Sequence, residues 1–238
     1  MGKLVVTEFL TLDGVAQAPG GPDEDRDGGF IHGGWQAPLL DEETGSALFA
    51  GASRMDALLL GRRTYEIFAG YWPNAPEDVP FTGLLNQVPK YVASRTLTEP
   101  MSWHGSSVLF DDLADAVAAV KGRHDEVHVI GSLDLVQSLL RLGLVDQLVL
   151  WVHPVLLGSG KKLFGGGTVP AALRLTDSTI FPNGSVNLVY ELAGTPTYGN
   201  LAVGTDEWVS PSHEARVSAP GVDVTVQEVP VENRAKVA

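Results

Sequence analysis

The chain alternates between short apolar runs and longer segments in which apolar residues recur with helical spacing. Leu58, Leu59 and Leu60 are apolar at consecutive positions, which is typical of a strand buried on both faces of a parallel sheet. Residues 62–69, which follow directly, have the pattern of a short helix. This alternation predicts an α/β fold with a mainly parallel central sheet and helices on both faces.

The same reasoning assigns the remaining elements. Further strands are predicted at residues 4–12, 88–93, 107–110, 126–130 and 147–157, and further helices at about 42–55, 111–122 and 132–142. Near residue 190, Val186, Leu188 and Tyr190 occupy alternate positions after the turn sequence Pro182-Asn183-Gly184. This pattern predicts an antiparallel C-terminal hairpin formed by residues 173–181 and 185–192.

The predicted domain boundary lies at residue 195. Residues 1–195 contain all the elements above, and 238 residues with 44% hydrophobic content are enough for one domain plus appendages. Residues 196–238 differ from the preceding part of the chain in residue pattern and composition. Val222, Val224 and Val226 alternate, which allows an edge strand or an arm on a partner subunit, and the charged stretch after Pro230 has the composition of a tail.

A glycine-rich segment at residues 16–38 separates the first strand from the first helix. Ordered loops of this length are commonly lids or binding loops. The aromatic residues Phe30 and Trp35 favour a lid over a solvated linker, and Trp35 is a candidate substrate-binding residue. The segment also carries an acidic cluster: Asp23, Glu24, Asp25 and Asp27.

Charge and composition exclude several classes of protein. With 29 acids against 16 bases, the net charge of −13 disfavours broad attraction to nucleic acid or to an anionic membrane. Cysteine is absent, so the sequence predicts neither disulfides nor a cysteine-based metal site. His124 and His128 would lie about 13 Å apart along a strand, too far for one metal ion. We therefore expect a cytoplasmic protein without a metal site.

Three predicted strands end in residues suited to anion binding. Gly61 opens the helix that carries Arg62 and Arg63, and Gly131-Ser132 opens a second helix. A third strand runs into Ser94-Arg95-Thr96. The carboxyl ends of parallel strands meet at one edge of a sheet, and free amides at a helix start suit a phosphate. These junctions predict a nucleotide-binding site.

The Arg62–Arg63 pair has two interpretations. Positive charge at a helix start opposes the macrodipole, so a bound anion explains the pair economically. Alternatively, the two arginines form surface ion pairs with Glu66 and with the acids of the glycine-rich loop. The sequence alone leaves both open.

Four motifs occur in a fixed order along residues 3–194. They are Thr11-Leu12-Asp13-Gly14, Leu59-Leu60-Gly61-Arg62-Arg63-Thr64-Tyr65-Glu66 with Phe68-Ala69-Gly70-Tyr71-Trp72-Pro73, Gly143-Leu144-Val145-Asp146-Gln147, and His153-Pro154-Val155-Leu156-Leu157-Gly158-Ser159-Gly160-Lys161-Lys162-Leu163-Phe164. Together they resemble the signature of small bacterial proteins related to dihydrofolate reductase and to the reductase domain of riboflavin biosynthesis, the RibD C-terminal domain.

The resemblance implies a three-layer fold like that of dihydrofolate reductase and an NADPH-dependent reductase activity. The implied reaction transfers a hydride to a small heterocycle, as in 5-amino-6-(5-phosphoribosylamino)uracil reduction. The implied cofactor-binding residues are Gly61, Arg62, Arg63 and Thr64 for the adenosine phosphates, Ser94, Arg95 and Thr96 for the 2′-phosphate, and Gly131, Ser132 and Leu133 for the pyrophosphate.

Carboxylates near the implied pocket are the candidates for catalysis and substrate binding. Asp13 follows the first strand, and Glu43 lies on the helix beyond the loop; both are candidate catalytic residues. Asp41 is a candidate substrate-binding residue, although helix capping also accounts for Asp41 and Glu43.

Two alternatives to a riboflavin-type reductase stay open at this stage. One is a binding protein that keeps the nucleotide pocket and sequesters a small molecule without chemistry, and the other is a true dihydrofolate reductase. In either case the partner is a small molecule. The resemblance also implies a homodimer, for which the long apolar strand at 147–157 or the valine-rich tail would supply an interface.

Overall fold

The computed structural model describes residues 1–199, and residues 1–196 form one compact unit. The expected arm near residue 224 and the tail after Pro230 lie outside the described residues. The strands are β1 Lys3–Thr11, β2 Ala57–Gly61, β3 Lys90–Ala93, β4 Ser106–Leu109, β5 Glu126–Ile130, β6 Gln147–His153, β7 Leu173–Ile180 and β8 Val186–Leu192. The helices are α1 Glu42–Ala52, α2 Arg62–Tyr71, α3 Pro80–Gln87, α4 Leu113–Lys121 and α5 Leu133–Arg141.

All eight strands form one sheet in the order β4-β3-β2-β5-β1-β6-β8-β7. The first six of these are parallel, and β8 pairs antiparallel with both β6 and β7. The predicted α/β fold, with a mainly parallel sheet and an antiparallel C-terminal hairpin, is therefore confirmed.

Alternation along β2 shows how the two faces of the sheet are covered. Ala57 and Leu59 point into the larger apolar core, which is closed by α4 and α5. Leu58 and Leu60 point into a second core, which is closed by α2 and α3. Because both faces are buried, this strand is apolar at consecutive positions, as the sequence pattern predicted.

Two elements differ from the sequence prediction. Residues 80–87 form α3, which the sequence analysis did not assign. The strand predicted at 147–157 ends at His153, before Pro154, and lies inside the sheet between β1 and β8. Because both edges of β6 are paired, this strand cannot extend the sheet into a partner subunit by edge pairing.

The glycine-rich segment is held against the sheet by its aromatic side chains. Phe30 and Trp35 are buried in a small apolar cluster with Val15 and Ala18. The indole Nε1 of Trp35 donates a hydrogen bond to the Gln17 carbonyl at 2.8 Å. Within residues 1–199, none of the helices is long and apolar enough to cross a membrane.

Candidate active site

A large cleft lies outside the carboxyl ends of the parallel strands. In the sheet, β2 pairs with β3 on one side, where Gly61 is level with Ala93, and with β5 on the other. The junctions that follow these three strands therefore open onto the same cleft, which has a volume of about 2130 Å³. Pockets for one drug-sized ligand hold ~300–1,000 Å³, so this cleft has room for a dinucleotide and a substrate together.

The structure brings together nine of the ten residues implied for cofactor binding. The residues that line the cleft are Gly61, Arg62, Arg63, Thr64, Ser94, Arg95, Gly131, Ser132 and Leu133. The tenth, Thr96, is not among the lining residues. Its amide donates to the Ser94 hydroxyl at 3.2 Å, so this hydroxyl also shapes the turn after β3.

The start of α5 contributes backbone donors to the cleft. Gly131 and Ser132 both have positive φ, 64° and 66°, so the chain turns sharply out of β5 before the helix begins. The first-turn amides of an α-helix have no intrahelical acceptor, and Leu133 and Leu135 in this turn line the cleft. The Gly61 amide, in contrast, already donates to the Ser132 hydroxyl at 3.0 Å, which ties the β2 junction to the β5 junction.

Both arginines at the start of α2 are paired with acids, as the second interpretation of the Arg62–Arg63 pair predicted. Arg62 contacts Glu66 at 3.0 Å. Arg63 contacts Asp25 at 3.2 Å and Asp27 at 3.0 Å, both in the glycine-rich segment. In this arrangement the loop acids are ion-paired with Arg63 at the cleft. A bound anion would share Arg63 with these acids or displace them.

Lysine and arginine side chains elsewhere in the cleft differ in whether they are neutralised. Lys161 contacts the same two loop acids, Asp25 at 2.8 Å and Asp27 at 2.9 Å. The Lys161 hydrogen bond, with the charges of Lys161 and Arg63, lowers the pKa of the Asp27 carboxyl. Arg95, by contrast, forms no ion pair with any described residue, so its charge is available to a ligand.

One wall of the cleft is aromatic. Phe68, Trp72 and Phe81 line it, with ring centroids 6.2 Å apart for the first pair and 6.3 Å apart for the second. Aromatic side chains favour stacking on flat rings, so this wall suits a planar heterocycle.

A buried carboxyl group that the sequence analysis did not assign to the site lies in β1. Glu8 lines the cleft and is 2% exposed, and its Oε1 has no hydrogen-bond partner among residues 1–199. Burial raises the pKa of this carboxyl group to about 8. The signal was present in the sequence, because Glu8 is the one acid in the predicted strand at residues 4–12, and a buried acid needs a reason.

The candidate catalytic residue Asp13 lies outside the cleft lining. Its carboxylate accepts a hydrogen bond from the Thr11 hydroxyl at 2.6 Å and from the amides of Leu157 and Gly158 at 3.2 and 2.9 Å. The Thr11 hydrogen bond, with the two amides, lowers the pKa of Asp13 to about 2. Asp13 is therefore an ionised acceptor that joins two loops, and it has no proton to donate near neutral pH.

The other sequence candidates also lie outside the cleft lining. Asp41 caps α1 and accepts a hydrogen bond from the Thr44 amide at 2.8 Å, which confirms the capping alternative for this residue. Glu43 is exposed in the first turn of α1, where its charge favours the helix dipole. Trp35 anchors the glycine-rich segment and packs edge-on against His153, with ring centroids 5.6 Å apart.

Comparison with known proteins assigns the chain to a family. The family model of the RibD C-terminal domain matches residues 2–187. The chain belongs to the RibD C-terminal domain family. The resemblance inferred from the four sequence motifs is thereby confirmed.

Relatives of this RibD C-terminal domain include proteins of known structure. The chain is similar to a putative riboflavin biosynthesis protein from Shewanella sp. PV-4, with a TM-score of 0.61, 21% identity, and coverage of 80% of this chain and 98% of that one. It is also similar to a pyrimidine reductase-like protein from Corynebacterium diphtheriae, with a TM-score of 0.57, 16% identity, and coverage of 80% and 92%. At these identities the likeness shows the shared fold.

A curated relative extends the comparison at the level of sequence. The uncharacterized protein YyaP from Bacillus subtilis is 25% identical over 197 residues, which is 81% of this chain and 96% of YyaP. The RibD C-terminal domain match over residues 2–187 indicates a reductase.

Proposed function

We propose that the chain is an NADPH-dependent reductase that transfers a hydride to a small planar heterocycle, in a reaction of the 5-amino-6-(5-phosphoribosylamino)uracil reductase type. The observation that carries the proposal is the meeting of three strand ends at one cleft, beside the free first-turn amides of α5. Phosphates bind well at such helix starts. The family assignment supports the same conclusion.

The cofactor end of the cleft fits the dinucleotide. A Cβ at Gly61 would fit in ordinary contact with Ser132 and Leu135 at 3.6 Å, but it would cover backbone that glycine leaves open to a ligand. In the proposal, the α5 amides hold the pyrophosphate, Arg62 and Arg63 hold the adenosine phosphates, and Arg95 holds the 2′-phosphate. NADPH, when bound, supplies a hydride to a C=N or C=O carbon, and the protein supplies orientation and a proton.

The test of cofactor preference uses Arg95, whose guanidinium has no carboxylate partner among the described residues. Arg95→Ala is expected to weaken NADPH binding by ~10–100-fold and to leave NADH binding within about twofold, because a charge-assisted contact to the 2′-phosphate is lost. Isothermal titration calorimetry with both cofactors measures the difference. Arg54→Ala, which removes the same charge from an exposed side chain outside the cleft lining, is the matched control.

Two results would contradict this assignment. Failure of the wild-type protein to bind NADPH at millimolar concentration would rule out an NADPH-dependent reductase. Equal weakening of NADPH and NADH in Arg95→Ala rules out the role of Arg95 at the 2′-phosphate. The alternative of a sequestering protein is tested with a panel of aminopyrimidines and pterins, because binding of NADPH without its oxidation on any of them favours sequestration.

We also propose that the protein is a homodimer formed through the C-terminal hairpin. In the described sheet β7 is an edge strand, and Leu173, Leu175 and Ile180 on it are 39%, 49% and 78% exposed. Exposed apolar side chains on a sheet edge are typical of an interaction surface.

The dimer proposal predicts that charge on β7 separates the subunits. The double substitution Leu175→Glu with Ile180→Glu is expected to convert a dimer into a monomer in sedimentation velocity experiments, since two buried charges would lack partners. Leu142→Glu, on the exposed end of α5, should stay dimeric. A wild-type protein that sediments as a monomer at micromolar concentration would refute the proposal.

A further inference from the structure

Glu8 occupies the point at which the sheet opens into the cleft. Strand β1 pairs with β5 only as far as Thr7, which is level with Ile130, whereas its pairing with β6 continues through Thr11. Glu8 is thus the first residue of β1 past the end of β5. By alternation its side chain shares a face with Val6 and Leu10, which belong to the larger apolar core.

In the described part of the chain, the surroundings of Glu8 give its carboxyl group no charged partner. The titratable and charged groups on the neighbouring elements are Glu126 and His128 on β5, His153 on β6, Asp134 and Arg141 on α5, and Lys161 and Lys162 after β6. The Glu126 carboxylate is hydrogen-bonded to the His128 imidazole. The His153 imidazole is hydrogen-bonded to the Ser185 hydroxyl and to the Gln36 side-chain amide. The two lysines pair with Asp25, Asp27 and Asp13, and the Arg141 guanidinium donates to the Ser138 hydroxyl. Hence none of these cationic or imidazole groups pairs with Glu8.

An unpaired carboxyl group at this depth favours its protonated form near neutral pH. Ionising it would place an uncompensated charge in an apolar setting, which is far more costly than holding a neutral acid there. The Glu8 Oε1 also accepts no hydrogen bond from the described residues, so no internal hydrogen bond explains why an acid is placed in the core. A neutral carboxyl group that lines a cleft and has no partner in the described residues can donate its O–H to a hydrogen-bond acceptor on a ligand.

We propose that Glu8 is the catalytic acid of this site, and that it protonates the ring nitrogen or carbonyl oxygen of the substrate. The inference rests on the reductase function proposed above. Reduction of a C=N or C=O bond adds a hydride at carbon and a proton at the heteroatom. The Glu8 O–H bond breaks as the new N–H or O–H bond forms, and the carboxylate left behind regains its proton from water. The substrate class is therefore a planar heterocycle with an unprotonated acceptor at the reducible bond.

The first test measures the protonation of Glu8 without any cofactor. A folded-state pKa above the unfolded value means that the native state binds more protons, so stability is highest at low pH and falls as pH rises toward 8. Against Glu8→Gln, the wild-type melting temperature should fall by roughly 10 °C more between pH 5 and pH 8. Infrared spectra should show a protonated-acid carbonyl band in the wild type at pH 6.5 that is missing in Glu8→Gln.

The second test separates proton donation from binding. Glu8→Gln should bind NADPH within twofold of the wild type and reduce substrate ~100-fold more slowly or worse, within the range known for general acids. Glu8→Asp should regain part of the rate and keep an alkaline limb in its pH profile. Glu77→Gln, which changes an exposed carboxylate outside the cleft, should match the wild type in both assays.

The outcomes distinguish the two proposals. Equal pH dependence of the melting temperature in wild type and Glu8→Gln overturns the role of Glu8, as does an unchanged rate and pH profile in Glu8→Gln when NADPH still binds. A wild-type protein that fails to bind NADPH overturns the reductase function and the role of Glu8 with it, even where the infrared band confirms a neutral buried acid.

Discussion

Replacing Gly131 by alanine is expected to weaken NADPH binding by more than tenfold and to lower the free energy of unfolding by about 1–2 kcal/mol. The loss of stability follows from the backbone, because Gly131 has a φ of 64° and side chains disfavour this left-handed region. The loss of affinity follows from the place of the new Cβ. It would make an ordinary contact with the Thr64 methyl group at 3.6 Å, but it would cover the backbone that a phosphate approaches at the start of α5. Calorimetric titration and thermal unfolding measure the two effects.

Gly143 offers a matched control for this substitution. It follows the other end of α5, has a φ of 66°, and no atom lies within 4 Å of the position its Cβ would take. Gly143→Ala should therefore cost the same backbone strain and leave NADPH affinity within about twofold. Equal affinity in the two variants would show that the cofactor does not approach the backbone at the start of α5.

Elements with a strong periodic pattern were predictable from the sequence, whereas α3 was not. Its eight residues include a threonine and a glycine, and a helix this short is marginal in water on its own propensity. It is stabilised by contacts that the sequence does not display. Leu85 is buried in the second core, and the Asn86 side chain accepts a hydrogen bond from the Trp103 indole at 2.7 Å.

The two ends of the cleft differed in how well the sequence predicted them. The clustering of the three junctions at the end proposed to hold the cofactor was predictable, because a glycine between a strand and a helix is a local signal and the order of strands then brings such junctions together. The substrate end depends on distant segments. The Asp13 carboxylate accepts hydrogen bonds from backbone amides more than 140 residues away in the sequence. Glu8 becomes part of the cleft only because β5 ends beside Thr7.

The acids of the glycine-rich segment and a bound anion would compete for the same cationic side chains. The sequence had offered these two partners as alternatives for the Arg62–Arg63 pair. Asp25 and Asp27 together neutralise Arg63 and Lys161, two of the cationic groups that line the cleft. The backbone of the segment is held separately, because the Gln17 side-chain amide donates to the Asp25 and Asp27 carbonyls at 3.1 and 3.0 Å. The two carboxylates can therefore be removed while the loop keeps these anchors.

Asp25→Asn with Asp27→Asn is expected to tighten NADPH binding by roughly tenfold at low ionic strength, because phosphates no longer compete with two internal carboxylates for the same cations. The gain should shrink in 0.5 M salt, which screens the freed charges. Asp23→Asn, which removes a charge from the same segment at an exposed pair with Arg26, should change affinity less than twofold. Weaker NADPH binding in the double variant would mean that the two acids contact the cofactor themselves, and the loop would then be part of the binding site and not its competitor.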